Sequence, residues 1–225
     1  LHDISNPMSA ILGYLTLLRS LEPNLSDEQK DKYVDRAMVA SESVASTIRQ
    51  VRLLASDEEQ NQDNYNDMIC LNEAFKTAKT IFEPLYEKKE IDLKVEYPKI
   101  EVCIKGNKEL FIHTVLGNLL SNSLKFSEAG NIVRLGHKLE DDGVTVFVTD
   151  QGHGIKEEQI ESMFQFESAV STKGTHGEIG NGFGMPLLKK YVDQNQGSVE
   201  VQSKTKDEYA TDHGTSISVR FPARG

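Results

Sequence analysis

The sequence predicts an α+β chain: an N-terminal antiparallel helical hairpin, then an α/β sandwich with a mixed, mainly antiparallel sheet. Three observations carry this. Apolar residues recur at alternating steps of four and three through the first sixty positions, the seam of packed helices. A polar, acidic run at 56–66 ends that pattern. Beyond it, stretches with the two-residue period of strands are interspersed with stretches of helical period.

In the first helix the seam is Ile4, Met8, Ile11, Leu15 and Leu18. In the second it is Val34, Ala37, Ser41, Val44, Ile48, Val51 and Ala55. Pro23 stops the first helix, and Ser26 with Gln29 three residues on forms a capping box for the second. So short a connection makes the two helices antiparallel neighbours. Two helices alone bury little, so a second copy of the chain is expected to complete a four-helix bundle, a homodimer. The plainer alternative packs the hairpin on its own C-terminal domain. The expected organisation is a hairpin over 1–60, a linker over 61–66 and a second domain over 67–225.

In that domain, Met68–Leu71 reads as a short strand and Asn72–Glu87 as a helix. Ile91–Tyr97 alternates strictly, as a half-buried strand does. Glu101–Ile104 is a short strand, and Asn107–Lys125 a long amphipathic helix. Strands over 131–139 and 143–149 flank a hairpin turn at Asp141-Asp142-Gly143. A helix near 156–164, a glycine-rich stretch, a helix near 184–194 and strands near 198–204 and 215–221 complete the chain.

Composition excludes several classes. With 225 residues, 38% hydrophobic and 27% charged, the chain is an ordinary globular protein. No segment approaches the roughly 20 apolar residues of a membrane span, so no membrane contact by this piece is expected. A net charge of −10 disfavours nucleic acid and anionic lipid as partners. Cys70 and Cys103 sit among alternating apolar residues and are expected to be inert core thiols, which fits a reducing cytoplasmic location. They stand too far apart in sequence for a metal motif, and the six histidines lack ligand spacing. The chain opens inside a helical motif, at Leu1-His2, as a fragment of a longer protein would.

Four motifs carry chemistry. Asp150-Gln151-Gly152-His153-Gly154-Ile155 follows a strand; its glycines permit a sharp turn and close approach, and its acid is placed to accept from an exocyclic amine such as that of adenine. A purely structural turn is the bland reading. Gly174 to Met185 is glycine-rich and ends where a helix begins, so its backbone N–H groups suit phosphate oxygens. It is neither a P-loop nor a dinucleotide fingerprint, and a plain surface loop would share its composition. Asn118 and Asn122 share one helix face with Lys125 close by. Amide oxygens suit Mg²⁺, and the lysine a phosphate; a solvated polar face is the alternative. His2, with Asp3 beside it and Asn6 one turn on, is a nucleophile with a proton acceptor at hand. An ordinary surface histidine is the competing reading.

Together and in this order, these motifs resemble the transmitter core of the sensor histidine kinases of two-component systems. His2–Pro7 is similar to the phosphoacceptor box and Asn118–Phe126 to the N box. Asp150–Ile155 and Gly180–Met185 are similar to the two glycine boxes, Phe164-Gln165-Phe166 to the F box, and Gly214-Thr215 to the final Gly-Thr. The resemblance implies ATP and Mg²⁺, with His2 as phosphoryl acceptor, Asp3 as its base or orienting partner, and Asn6 positioning a water for dephosphorylating a response regulator. It implies Mg²⁺ on Asn122 and Asn118. Lys125, Phe126, Asp150, Gly152, Gly154, Ile155 and Thr215 would line the nucleotide, with a lid carrying Gly180, Gly182, Phe183, Gly184 and Met185. Asn181, Phe183 and Met185 depart from the family's Thr, Leu and Leu, and Ser123 from its Ala. Lys173 is the substitute for a phosphate-contacting arginine absent between Phe164 and Gly174. A receiver domain is the implied partner. A fold-retaining scaffold or phosphatase without kinase output, and an ATPase of the gyrase, Hsp90 and MutL superfamily, are the rival readings.

Overall fold

The computed structural model describes residues 2–19, 26–55, 67–166 and 183–222. It divides into two compact units, Leu1–Asp57 and Glu58–Gly225.

The first unit is a pair of helices, α1 (His2–Arg19) and α2 (Asp27–Ala55). The capping box forms as expected: Gln29 N donates to Ser26 Oγ at 3.3 Å, and Ser26 N to Gln29 Oε1 at 3.1 Å. Between the helices, Tyr14 stacks on Tyr33 with ring centroids 6.1 Å apart, and the Arg36 guanidinium lies over the Tyr14 ring. The seam divides into two stripes. Ile11, Leu18 and Val44 are half-buried and Ala37 is buried. Met8, Leu12 and Leu15, spaced i, i+4, i+7, are exposed, as are Val34, Met38 and Ile48 on α2.

The second unit opens with β1 (Asp67–Cys70) and α3 (Leu71–Lys88), then β2 (Asp92–Val95) and β3 (Cys103–Gly106). A continuous helical rod follows: α4 (Lys108–Leu110), a π-helical stretch (Phe111–Leu116) and α5 (Gly117–Phe126). The expectation here is one regular α-helix; the structure differs by the wider turn, in which Gly117 N reaches back five residues to Ile112 O. Strands β4 (Ile132–Glu140) and β5 (Gly143–Thr149) form the expected hairpin. The short α6 (Glu157–Ile160), a 3₁₀ turn (Ser162–Phe164), α7 (Gly184–Gln194), β6 (Ser198–Lys204) and β7 (Gly214–Pro222) complete the order.

The main sheet runs β2-β4-β5-β7-β6, parallel only between β2 and β4. Its inner face carries Val133, Leu135, Val146, Val148, Val219 and Phe221, all buried. Phe221 meets Phe111 and Tyr191 edge-on at 5.7 and 6.5 Å, locking sheet to helices. Tyr86 is buried, and its hydroxyl lies 2.6 Å from Ser123 Oγ and donates to Leu120 O at 2.8 Å. That network is what the serine at position 123 supplies and an alanine would not.

A separate two-stranded ribbon pairs β1 with β3, and here the thiol expectation is corrected. Ile69 and Ile104 take the inward register and are 0% and 5% exposed. Alternation then turns Cys70 and Cys103 to the outer face, half-exposed and directly opposite one another.

Candidate functional site

The rod of α5 is the spine on which the separate motifs converge. At its start, Asn118 donates from Nδ2 to Thr114 O at 2.6 Å, which covers a carbonyl at the edge of the π-helical stretch. Its Oδ1 then faces the first residue of α7: a Cβ built on Gly184 would stand 2.5 Å from it. Only glycine lets α7 begin so close to the asparagine. At the other end of α5, a Cβ on Gly152 would meet Phe126 O at 2.5 Å. The N box therefore touches one glycine box at each end, about 12 Å apart along the helix, a length on the scale of a nucleotide.

Asn122 lies between, half-buried, with no hydrogen bond among the described residues. Asn118 and Asn122 thus offer two amide oxygens on one face, a donor set that fits a hard cation such as Mg²⁺. Lys125 is half-buried, its Nζ 5.0 Å from the Phe126 ring centroid.

Asp150 sits at the exit of β5. Its Oδ1 accepts from Gly152 N at 2.9 Å and from Thr215 N at 3.1 Å, while its own N–H donates to Thr215 O at 2.8 Å. Oδ2 has no donor among the described residues. Burial pushes the carboxyl up to about 6; the two backbone donors and the His213 charge pull it back only in part. Such a carboxylate is oriented by the fold and left wanting one further donor. Gly154 has φ +76°, and a Cβ there would meet Lys204 O at 2.1 Å, so the turn requires glycine twice over.

Three residues that the sequence reasoning passed over support this turn. Ser203 Oγ accepts from Ile155 N at 2.7 Å and bonds Gly214 O at 3.1 Å and Thr215 Oγ1 at 2.8 Å. His213 Nδ1 lies 2.6 Å from Gly152 O. His153 Nε2 pairs with Glu128 Oε1 at 2.8 Å. Ser203 left a readable trace, since it takes the inner register of β6 after Val199 and Val201. The histidines left none.

Phe183 caps the start of α7, and its ring faces Phe166 of the F box at 6.5 Å. Met185 is buried in the first turn of α7. Gly180, Gly182 and Lys173 lie outside the described residues. His2, Asp3 and Asn6 belong to α1, and their side chains lie outside the described residues as well.

Residues 107–225 match the family of histidine kinase-, DNA gyrase B- and HSP90-like ATPases, and residues 1–60 match the His Kinase A phospho-acceptor domain. The chain is 24% identical over 203 residues to the sensor histidine kinase YcbM of Bacillus subtilis, covering 90% of this chain and 65% of that protein. It is 27% identical over 237 residues to the autoinducer 2 sensor kinase/phosphatase LuxQ of Vibrio parahaemolyticus, covering 99% of this chain and 26% of that protein. Full-length ShkA, solved in complex with AMPPNP, matches with a TM-score of 0.67 at 19% identity, covering all of this chain and 45% of that one. Among the described residues, no helix is long and apolar enough to cross a membrane.

Proposed function

The chain belongs to the sensor histidine kinase family, and from that premise we propose that it binds ATP with Mg²⁺ on residues 107–225 and phosphorylates His2. The observation that carries the ATP reading is Asp150. Its Oδ1 is fixed by Gly152 and Thr215, so Oδ2 is aimed to accept the 6-amino hydrogen of adenine. Gly152 and Gly154 let the turn that holds Asp150 pack directly on the backbone of Phe126 and Lys204. Full-length ShkA, solved in complex with AMPPNP, shares this fold.

With a net charge of −10, the chain must place positive charge locally to hold a triphosphate. Lys125 supplies one cation, and the first N–H groups of α7 supply the partial charge of a helix N-terminus. Asn118 and Asn122 would hold Mg²⁺, whose chemistry is to neutralise phosphate oxygens as negative charge shifts toward the leaving group. The neutral imidazole of His2 attacks the γ-phosphorus; a P–N bond forms as the bond to the β,γ-bridging oxygen breaks, and ADP leaves. Asp3 orients the ring and takes its proton. The phosphohistidine then passes the group to an aspartate of a receiver domain. Homodimerisation through α1 and α2 covers the exposed stripes of Met8, Leu12, Leu15, Val34, Met38 and Ile48.

The name of the LuxQ relative includes a phosphatase, and Asn6, one helical turn beyond His2 in sequence, would position a water for the same second activity here. The test of the main reading is γ-labelled ATP with wild type beside His2→Gln and Asn122→Ala. Label on wild type alone is the expected result. Equal label on His2→Gln would overturn it, and label on none would favour the scaffold or phosphatase. The gyrase-like reading makes no use of the 1–60 match and predicts ATP hydrolysis indifferent to His2.

A further inference from the structure

We propose that Cys70, Cys103 and Glu101 form a binding site for a d¹⁰ divalent cation of Zn²⁺ type on the outer face of the β1–β3 ribbon. This goes beyond the ATP site and stands independently of it.

The register makes the site. Cys70 and Cys103 are directly cross-strand, and Leu71 N donates to Val102 O at 2.8 Å just beyond them. That bond marks them as the non-hydrogen-bonded kind of pair, whose side chains stand closest together. Glu101 lies two residues before Cys103, so alternation brings it to the same face. One ligand atom from each of the three residues lies within 4.8 Å of the others. The Cys70 Sγ to Glu101 Oε1 separation is 3.6 Å. A tetrahedral ion with Zn–S near 2.3 Å and Zn–O near 2.0 Å sets its sulfur and oxygen ligands roughly 3.5 Å apart. Side-chain rotation alone therefore closes the site around an ion.

The chemistry of the set matches as well. Both cysteines are free thiols, half-exposed and reachable from solvent, while Ile69 and Ile104 hold the backbone from the inner face. Two thiolates suit a soft or borderline cation and exclude Mg²⁺, which demands oxygen ligands. Binding releases one proton from each thiol, and the resulting charge of two thiolates and one carboxylate exceeds that of the ion by one. Water takes the fourth position. The ion would tie β1, the first strand after the 56–66 run, to β3, which leads into the rod carrying Asn118 and Asn122.

The test uses the full 225-residue chain, reduced with a phosphine that does not bind metal and then dialysed. Zn²⁺ is titrated against a chromophoric chelator, and Co²⁺ is added separately to read thiolate charge-transfer and tetrahedral d–d bands. The expected result is one tight site in wild type, lost in Cys70→Ser and in Cys103→Ser. Glu101→Gln should bind about 10-fold more weakly or worse. Zn²⁺ should also protect both thiols of the wild-type chain from alkylation, a readout that requires no variant to fold. Zn²⁺ uptake equal in wild type and the serine variants would assign the metal to histidines and overturn the proposal. So would loss of two mass units to a Cys70–Cys103 disulfide with no metal-dependent protection.

Discussion

The two units of this chain solve the burial problem in opposite ways. Residues 67–222 enclose a core, with Phe75, Leu120, Leu135 and Tyr191 all at 0% exposure. The α1–α2 pair contains a single buried apolar residue among its described side chains, Ala37, while Leu12 and Leu15 stand 61% and 51% exposed. The sheet-bearing unit can finish folding within one chain. The helical pair leaves its stripes uncovered within one chain, and in the proposed dimer its stability would depend on concentration. The proposed phosphoacceptor and nucleotide site thus belong to bodies with different rules of stability.

The sharpest way to break that contrast is to charge the stripe. Leu12→Glu with Leu15→Glu removes four leucines from a two-fold interface, and sedimentation should show dimer dissociation strengthened by on the order of 10³-fold or more. The thermal midpoint of residues 67–225 should not move. A dimer that survives would mean that the stripes are covered by something else. The converse substitution is Phe75→Ala, which opens a cavity in the enclosed core and should cost about 3–5 kcal/mol in urea unfolding of the nucleotide-binding unit. Dimerisation should persist.

Asp150→Asn probes the site within the enclosed unit. The amide keeps an oxygen for Gly152 and Thr215 but presents N–H to adenine, so ATP affinity should fall about 10- to 100-fold by calorimetry. Without nucleotide, the variant should be as stable as wild type or more so. The sign follows from the raised carboxyl: the folded state holds its proton up to about 6, whereas the unfolded chain releases it near 3.8. Its stabilising contribution is complete below 3.8 and is lost as pH rises through about 6. The wild-type chain should therefore lose up to about 3 kcal/mol across that window relative to Asp150→Asn. Equal pH slopes would show that Asp150 is not buried as described. The smallest expected effect is Ser26→Ala, about 1 kcal/mol from the lost cap, seen as a lower helix melting temperature in the hairpin.

Much of this was legible in sequence because it was local. The capping box, the β4–β5 hairpin and the start of α7 each follow from residues within a few positions of one another. What escaped was set by distant pairing. Nothing near Asp150 announces that Thr215, sixty-five positions on, will hold its Oδ1. Nothing in the alternation around Cys70 says which phase faces inward, because Met68-Ile69-Cys70-Leu71 is apolar on both faces. The packing of Ile69 decided it. The reading of His2 as a nucleophile rests on its company, since a histidine beside an aspartate is common and the downstream nucleotide motifs suggest the role.

The π-helical stretch has a consequence for how such a site tolerates change. A wide turn holds one residue more than a regular helix of the same rise, and each residue advances the helix by about 100°. Deleting a single residue between Phe111 and Leu116 would let the rod relax into uniform α-helix with better-formed bonds. Asn118 and Asn122 would still face Gly184 and the glycine turn, whereas regularising the stretch at its present length would rotate both by that angle. At its full length the chain keeps the asparagines in phase only by keeping the wide turn. The extra residue is a spacer that selection for stability alone would discard.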